Sequence, residues 1–346
     1  MIRERKRWTN LQRDDQVVIY PTYGCLDKER RTWRIELCGT VYESGSVSLR
    51  NQLMVRLLQR VARVTPTELE QPTFQERIRE FVAPTGVKKR LAVLLGNHVY
   101  PLRRATKRNG RFQGVLRIPV DSVERVEGPL AGWVDLHVLT PFGEISGYTG
   151  RVRLLEPEGI SVISDIDDTL KVTEVHCRRS LLTNTFLREF RAVEGMSAVY
   201  RGWAEQQVDF HYVSSSPWQL YRPLQEMFAQ ERYPSGTFHL RSFRLHHHML
   251  RRLLLIRRRG KTATMHALLR AFPQRKFVLV GDSSELDAEI YASLARSYPK
   301  QVWGIFIREV AARPIDNERQ RKLQRRLEVK HFQIFREAAE LPRSIS

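Results

Sequence analysis

Acidic residues follow a short apolar run near the middle of the chain. Residues 160–163 are apolar and β-branched, as is typical of a buried strand, and Asp165, Asp167 and Asp168 come directly after it. In an open α/β sheet, ligands bind at the carboxyl ends of the strands. Two carboxylates that share a small site need a cation between them, and oxygen ligands suit Mg²⁺. This pattern indicates magnesium and phosphate chemistry.

A second acidic motif lies downstream. Taken alone, Asp-x-Asp-x-Thr is a weak signal, because a solvated turn that caps the next helix has the same pattern. However, a second apolar run at 276–280 leads to Asp282, and Asp287 completes a Gly-Asp-x4-Asp pattern. Between the two motifs lie the serines at 214–216, at the end of another predicted strand, and Lys261. Carboxylates, hydroxyl, lysine and a second acidic site in this order form a specific set.

This ordered set resembles the haloacid dehalogenase superfamily of phosphotransferases. More narrowly, the chain is similar to the phosphatidate phosphatase family typified by the yeast actin patch protein. The matching stretches, which span roughly residues 159–308, are DIDDTLK, GMSAVYR, FHYVSSSPW, YPSGTFHLR and FPQRKFVLVGDSSELDAEIY. The resemblance implies hydrolysis of phosphatidate to diacylglycerol and phosphate.

The resemblance also implies catalytic roles. Asp165 is expected to attack phosphorus and form an aspartyl-phosphate, and Asp167 to act first as general acid and then as general base. Ser214 would donate a hydrogen bond to a phosphoryl oxygen, and Lys261 would supply positive charge there. Three consecutive serines leave open which one contacts phosphate. Asp168 is expected to stabilise the turn.

Magnesium is the implied cofactor. Its expected ligands are the Asp165 carboxylate, the Asp167 backbone carbonyl and Asp282, with water completing an octahedron. Asp287 is expected to support the metal through water or to hold the catalytic lysine. Thr169 is expected to support the first motif.

Net charge points to a polyanionic partner. The chain has 58 Lys and Arg against 38 Asp and Glu, a net charge of +20. Residues 244–261 are the densest basic stretch and contain no acidic residue. We expect this stretch to contact an anionic membrane, the alternatives being a core-facing helix with a solvated rim or contact with nucleic acid. The expected contact residues are Arg251, Arg252, Arg257, Arg258 and Arg259.

Cysteine usage and hydropathy predict the compartment. Cys25, Cys38 and Cys177 have no metal-ligand spacing and leave one unpaired in any disulfide scheme, which favours a reducing cytoplasm. No segment approaches the ~20 apolar residues of a membrane span. We therefore expect a cytoplasmic, peripherally membrane-associated protein, whose oligomeric state the sequence does not set.

A chain of 346 residues exceeds one ordinary domain. Residues 158–312 are predicted to form a haloacid dehalogenase-like, Rossmannoid three-layer α/β catalytic domain. The spacing of its first two strands leaves no room for a large cap, so the site should be open enough for a lipid. Its strands are expected at 160–164, 208–213, 237–240, 276–281 and 302–307.

The other regions give weaker patterns. Residues 1–84 are interpreted as a mixed segment with two amphipathic helices, one at 49–61 and one from a cap at 65–67 to about residue 81. Residues 85–157 are interpreted as a β-rich accessory module, an antiparallel sandwich or a small barrel, with a hairpin turn at Asn109-Gly110. Residues 313–346 are predicted to be a helical extension.

The sequence thus predicts a Mg²⁺-dependent phosphatidate phosphatase that acts at a membrane surface. The alternative is a phosphatase for another phosphomonoester, either a soluble metabolite or a nucleic-acid end. A membrane adaptor with a relic site would lack one of the motifs, and none is missing.

Overall fold

The computed structural model describes residues 8–43, 65–96, 98–123, 132–142, 145–241, 258–325 and 327–345. The chain divides into two compact units. The first, called here the β-rich unit, takes its described residues from 1–47, 83–157 and 236–238, and the second, the α/β unit, takes them from 48–82, 158–235 and 239–346.

The β-rich unit contains an eight-stranded sheet. Its strands are β1 (Asp15–Ile19), β2 (Thr22–Asp27), β3 (Thr32–Glu43), β4 (Ala92–Leu95), β5 (His98–Pro101), β6 (Arg111–Pro119), β7 (Trp133–Leu139) and β8 (Ile145–Leu155). Their order is β1-β3-β2-β8-β7-β4-β5, with β6 paired to β3. Neighbours are antiparallel, apart from the parallel pair of β2 and β8.

Alternating burial along these strands places one set of side chains in a shared core. In β1, Val17 and Ile19 are buried between half-buried neighbours, and β3 repeats this pattern from Trp33 to Leu37. Gly150 in β8 lies against Ile19, where a Cβ would come within 2.3 Å of Ile19 Cγ2. This contact arises because β1 and β2 follow each other along one edge of β3, so β8, which pairs with β2, continues beside β1.

The predicted accessory module at 85–157 differs from the structure. Strands from residues 15–43 complete the same sheet, so 1–84 is not a separate segment, and the sheet contains a parallel pair rather than being antiparallel throughout. The reason is the length of β3, which pairs with β1 and β2 along one edge and with β6 along the other. Alternation along a strand identifies its buried face but not its partners.

Two local predictions have different outcomes. The Asn109-Gly110 turn is present, with Gly110 at φ +71° and its N–H donated to the carbonyl of Lys107, but β6 then pairs with β3 rather than closing a hairpin. Of the two predicted N-terminal helices, the one at 49–61 lies outside the described residues. The other is present as α1 (Pro66–Leu69), with its capping box at Thr65, and α2 (Pro72–Val82). Both belong to the α/β unit.

The α/β unit alternates strands and helices. The remaining helices described are α3 (Arg178–Phe186), α4 (Met196–Ala204), α5 (Tyr221–Gln230), α6 (Arg258–Ala271), α7 (Asp287–Ser297) and α8 (Asn317–Gln324). The strands are β9 (Ile160–Ser164), β10 (Asp209–Pro217), β11 (Thr237–Arg241), β12 (Lys276–Asp282), β13 (Val302–Arg308) and β14 (His331–Phe335), in the order β11-β10-β9-β12-β13-β14. From β10 to β14 along this order, neighbouring strands are parallel.

The centre of this sheet positions the acidic motifs. Strands β9 and β12 are neighbours and nearly fully buried, as continuous apolar runs in parallel sheets are. Ser164 at the end of β9 pairs with Tyr212 of β10 and Val280 of β12. The residues that follow these three positions therefore leave the sheet at one edge, where the sequence predicted the site.

The predicted strands agree with the observed ones, and the C-terminal segment does not. The five strands predicted between 160 and 307 are present, and the α/β class is confirmed, although β10 extends to Pro217. Residues 313–346, predicted to be helical, contain α8 but continue into β14, which adds a parallel strand beside β13. β14 forms a strand because it pairs with β13, a partner distant in sequence, so the local sequence pattern alone does not predict it. Within the described residues, no helix could span a bilayer.

Arg275 ties together the amino ends of the central strands. Its guanidinium donates to the carbonyls of Glu158 (2.8 Å) and Ile160 (3.0 Å) and to Ser161 Oγ (3.0 Å), and it pairs with Asp209 at 2.5 Å. Its side chain is 3% exposed and that of Asp209 is 11% exposed. Because both charges are buried, each depends on the other for compensation.

Replacement of Arg275 by Met should therefore destabilise the protein by roughly 3–5 kcal/mol, since the buried ion pair with Asp209 is broken and the carbonyls of Glu158 and Ile160 lose a donor. The free energy of unfolding, measured by denaturant titration, tests this. Arg270→Met is the matched control, because Arg270 is exposed on α6 and should change stability by less than about 0.5 kcal/mol. Equal effects of the two substitutions would contradict the role assigned to Arg275.

Candidate active site

The turn after β9 is held by Asp168. Its carboxylate accepts backbone N–H groups from Thr173 (2.8 Å), Glu174 (2.7 Å) and Val175 (2.8 Å). Asp168 has φ +56°, a left-handed conformation that Asp tolerates better than most residues. These bonds satisfy the carboxylate within the loop, in agreement with the structural role expected for Asp168.

Asp165 lies at the end of β9 and is 1% exposed. Its N–H bonds to the Val280 carbonyl at 2.9 Å, which fixes the residue against β12. Oδ1 accepts a bond from Lys261 Nζ at 2.6 Å, and Oδ2 accepts the Thr169 hydroxyl at 3.2 Å. Burial raises the pKa of Asp165 well above its ordinary value, and the charge of Lys261 opposes that rise.

Lys261 is a buried cation shared among carboxylates. Besides Asp165, it contacts Asp287 Oδ1 at 2.5 Å and Glu285 Oε2 at 3.7 Å, and its side chain is 2% exposed. Burial by itself would lower the pKa of Lys261, but the charges of Asp165 and Asp287 outweigh it and raise that pKa well above its ordinary value. The lysine therefore stays charged in the folded protein. The structure thus places it beside the proposed nucleophile, as the sequence predicted.

Three carboxylates converge beside this lysine. Asp165, Asp282 and Asp287 each place an oxygen within 4.8 Å of the others, and all three are buried. Asp282 Oδ1 accepts the N–H of Ser284 at 2.6 Å. Within the described residues, the second oxygens of Asp282 and Asp287 have no hydrogen-bond partner.

The electrostatics of this cluster favour a cation. Burial, and then the charge of Asp287, raise the pKa of Asp282 to about 7. Burial also raises the pKa of Glu285 to about 8. Four carboxylates surround one lysine, and two of their oxygens are unsatisfied, so this hard-oxygen donor set fits Mg²⁺. The sequence predicted that Asp287 supports the metal through water or holds Lys261; here its carboxylate does contact Lys261, and it also lies in the cluster. Glu285 was not anticipated.

Asp167, two residues from Asp165, lies in a different network. Its Oδ1 is 2.8 Å from Lys171 Nζ and accepts the Thr173 hydroxyl at 2.9 Å. Its Oδ2 accepts the hydroxyls of Ser214 and Ser216, both at 2.7 Å. Burial disfavours the charged form, but Lys171 and then the two serines outweigh it and hold the pKa of Asp167 below its ordinary value. Its side chain is therefore ionised in this arrangement and is separate from the three-carboxylate cluster.

Strand geometry determines which of the three serines at 214–216 face Asp167. Alternate residues of a strand lie on the same face, and Ser214 and Ser216 both reach Asp167. Ser215 does not reach Asp167, and its buried hydroxyl has no hydrogen-bond partner in the part of the chain that the structure describes. The structure therefore brings Ser214 to the site, as the sequence predicted, and adds Ser216.

Lys171 is a site residue that the sequence did not single out. It is 1% exposed, and its Nζ lies 4.5 Å from the centroid of the Phe190 ring. Arg77 of α2 lies over the same ring at 4.2 Å and donates to the Thr185 carbonyl at 2.8 Å. The signal was available in DIDDTLK, where a lysine stands four residues after Asp167.

The predicted membrane-contact residues cannot be placed. Arg251, Arg252 and Arg257 lie outside the described residues. Arg258 and Arg259 begin α6, but their side chains are also outside the description.

The raised pKa values predict how stability depends on pH. In the metal-free fold, Asp282 and Glu285 keep protons to about pH 7 and 8, whereas the unfolded chain loses them near pH 4. The folded state therefore binds more protons between those values, so stability should be highest at low pH and fall as pH rises toward 8. Thermal unfolding in EDTA from pH 5 to 8 measures this fall.

Asp282→Asn should flatten that dependence, because it removes one of the carboxyl groups that must ionise. Glu318→Gln is the matched control, since Glu318 is exposed and pairs with the exposed Lys322. The control should keep the wild-type slope. A wild-type slope in the Asn variant would show that Asp282 ionises normally.

Comparison with known proteins agrees with this geometry. Residues 160–309 match the family model described as phosphatidate phosphatase APP1, catalytic domain. The chain is 35% identical over 170 residues to an uncharacterized protein of Schizosaccharomyces pombe, covering 48% of the chain and 28% of that protein. It is 34% identical over 164 residues to phosphatidate phosphatase APP1 of Saccharomyces cerevisiae, covering 46% of the chain and 27% of that enzyme.

The matched part thus spans less than a third of either relative, 28% and 27% of their lengths. It contains both acidic motifs, the serine run and Lys261. Residues 160–309 of this chain are therefore similar to the catalytic domain described as that of phosphatidate phosphatase APP1.

Proposed function

We propose that this chain is a Mg²⁺-dependent phosphatidate phosphatase that releases diacylglycerol and phosphate through an aspartyl-phosphate intermediate at a membrane surface. The observation that carries the proposal is the buried cluster of Asp165, Asp282 and Asp287 beside Lys261, with two carboxylate oxygens unsatisfied. The family of residues 160–309 supplies the substrate class.

Asp165 is the proposed nucleophile. Lys261 and Thr169 hold its two oxygens, so the carboxylate is oriented before substrate binds. Attack on phosphorus would form an acyl-phosphate bond and break the bond between phosphorus and the glycerol oxygen. Lys261 keeps its charge and would offset the negative charge of the phosphoryl group during this transfer.

Asp167 is the proposed proton carrier. Held ionised by Lys171 and the serine hydroxyls, it is ready to accept the proton of the water that hydrolyses the acyl-phosphate. Protonation of the leaving glycerol oxygen requires Asp167 to gain a proton first. Phosphoryl oxygens would compete for the hydroxyls of Ser214 and Ser216, and loss of those bonds would raise the pKa of Asp167 toward that state.

The ion is expected to be held by Asp165, Asp282 and the backbone carbonyl of Asp167, with the free oxygen of Asp287 available to the ion or to its water. Bound Mg²⁺ supplies positive charge that orients and neutralises the phosphoryl group. Without it, four carboxylates face a single lysine. This excess of negative charge would repel a phosphomonoester.

A haloacid dehalogenase-like fold accords with the topology. Neighbouring parallel strands β9 and β12 end in the two acidic motifs, and helices connect the strands. Between β9 and β10 the chain forms α3 and α4 without a large insertion. A connection of this size between β9 and β10 supports a site that admits a phosphate at the surface of a bilayer.

The proposed location is the cytoplasm, with the protein associated peripherally with a membrane. A net charge of +20 supports contact with anionic lipid. The same charge favours an alternative, a phosphatase for another phosphomonoester such as a nucleic-acid end, because a basic protein also attracts nucleic acid.

Phosphate release from phosphatidate in mixed micelles tests the proposal. Wild type should be active with Mg²⁺ and inactive in EDTA, and Asp165→Asn should lose on the order of 10³-fold or more in activity because it cannot form the acyl-phosphate. Asp121→Asn, a substitution of an exposed aspartate, should be fully active. Turnover of soluble or nucleic-acid phosphomonoesters without turnover of phosphatidate would favour the alternative.

The serines provide a finer test. Ser214→Ala removes a hydroxyl that reaches Asp167 and should lower kcat by about 10²-fold, as loss of a positioned donor does. Ser215→Ala is the matched control in the neighbouring position, whose hydroxyl has no partner. A larger effect of Ser215→Ala than of Ser214→Ala would mean that the strand presents the other face to phosphate.

A further inference from the structure

The β-rich unit contains a segment whose charged side chains are all basic. Residues 83–120 include nine Lys and Arg and no Asp or Glu. Neither proposed catalytic residues nor the matched family segment extends into this region. Its charge is therefore not explained by the phosphatase site.

Two stretches of this segment are bonded side by side. The N–H of Lys88 donates to the Thr106 carbonyl at 3.2 Å, and the N–H of Thr106 donates to the Lys89 carbonyl at 2.8 Å. The Thr85 hydroxyl donates to the Arg108 carbonyl at 3.1 Å. These bonds bring Val87, Lys88, Lys107 and Arg108 together, and we name these four residues the basic tip.

The tip is anchored to the sheet. The Val41 carbonyl in β3 accepts the N–H of Gly86, and the Val41 N–H donates to the Gly110 carbonyl, both at 2.9 Å. Lys107 donates its N–H to the Arg111 carbonyl at 2.8 Å, which closes the turn before β6. The tip is therefore a shaped surface and not an unrestrained loop.

The cations of the tip are directed outward. Lys89 is buried and pairs with buried Asp15 at 2.7 Å, while the adjacent Lys88 is exposed. Lys107 and Arg108 are also exposed. Within the part of the chain that the structure describes, none of Lys88, Lys107 and Arg108 forms an ion pair with a carboxylate.

Apolar side chains accompany these cations. Val87 is 41% exposed at the tip. Trp8, 36% exposed, lies two residues before Asn10, whose side chain bonds the backbone of Lys88 and Arg90. Exposed valine and tryptophan beside unpaired cations are typical of surfaces that enter the headgroup layer of a membrane.

We infer that the basic tip docks the β-rich unit on an anionic lipid surface. Each cation near such a surface contributes about 1 kcal/mol, and the exposed valine gains by leaving water. Nucleic acid would also attract the cations, but its backbone gives an exposed valine nothing to bury against. Docking on lipid extends the proposed function, since it would hold the enzyme at the surface that contains its substrate.

Vesicle binding by the full chain tests this inference. Binding to phosphatidylcholine vesicles containing phosphatidate is compared for wild type and for K88Q/K107Q/R108Q. Loss of three surface contacts of about 1 kcal/mol each corresponds to roughly 100-fold weaker partitioning. Unfolding temperature should be unchanged, because all three side chains are exposed.

K28Q/R30Q/R31Q is the matched control. It removes the same number of charges from the turn between β2 and β3, at the other end of β3 and about 30 Å along the strand from Val41. The control should bind vesicles almost as wild type does. Equal losses in both variants would show that net charge alone governs binding and would overturn the inference, as would unchanged binding of the tip variant.

Three further comparisons distinguish the possible outcomes. Replacing phosphatidate in the vesicles with phosphatidylglycerol should preserve binding, since the tip recognises a charged surface and not the substrate. If the tip variant loses affinity for duplex DNA but not for vesicles, the partner is nucleic acid and the inference is wrong. Asp165→Asn should bind vesicles normally, so failure of the proposed catalysis and failure of docking are distinguishable.

Discussion

The site depends on one buried cation. Lys261 comes from α6, while its partners Asp165, Glu285 and Asp287 come from the ends of β9 and β12 and from the start of α7. In a low-dielectric interior these attractions are strong, but each charge is costly if its partner is absent. The lysine therefore holds together elements that are distant along the chain. It also leaves the cluster short of positive charge, as the raised pKa values of Asp282 and Glu285 show.

The two carboxylates of the first motif have opposite surroundings. Asp165 lies among other carboxylates, and its pKa is raised mainly by burial. Asp167 lies among a lysine and three hydroxyls, and its pKa is lowered although it is equally buried. Such a difference between neighbouring carboxyl groups suits the two proposed roles, with Asp165 as the nucleophile beside Lys261 and Asp167 as the proton carrier.

The buried charges of the site and the net charge of the chain have opposite signs. The described interior of the α/β unit contains an acidic centre, whereas the chain as a whole has a net charge of +20. Buried charge serves chemistry because water does not screen it, and exposed charge acts at longer range on partners. Arg275 lies at the other ends of the central strands, their amino ends. It is a buried cation, and its N–H groups donate to backbone carbonyls, a hydroxyl and Asp209.

The sequence by itself determined the α/β class and the central strands, and it placed Asp165, Ser214 and Asp282 at one edge of the sheet, because parallel strands of one sheet end at the same edge. It also predicted the local role of Asp168, which depends on neighbours along the chain. Only the tertiary structure decided the features that depend on partners distant in sequence. In the site, these are the positions of Asp287 and Glu285 beside Lys261 and the pairing of Lys171 with Asp167. In the sheets, they are the addition of β14 beside β13 and the joining of residues 15–43 to the β-rich sheet. Hydrophobic alternation reports which face of a strand is buried, but strand partners and the electrostatic surroundings of a carboxylate are set by the packing of the whole unit.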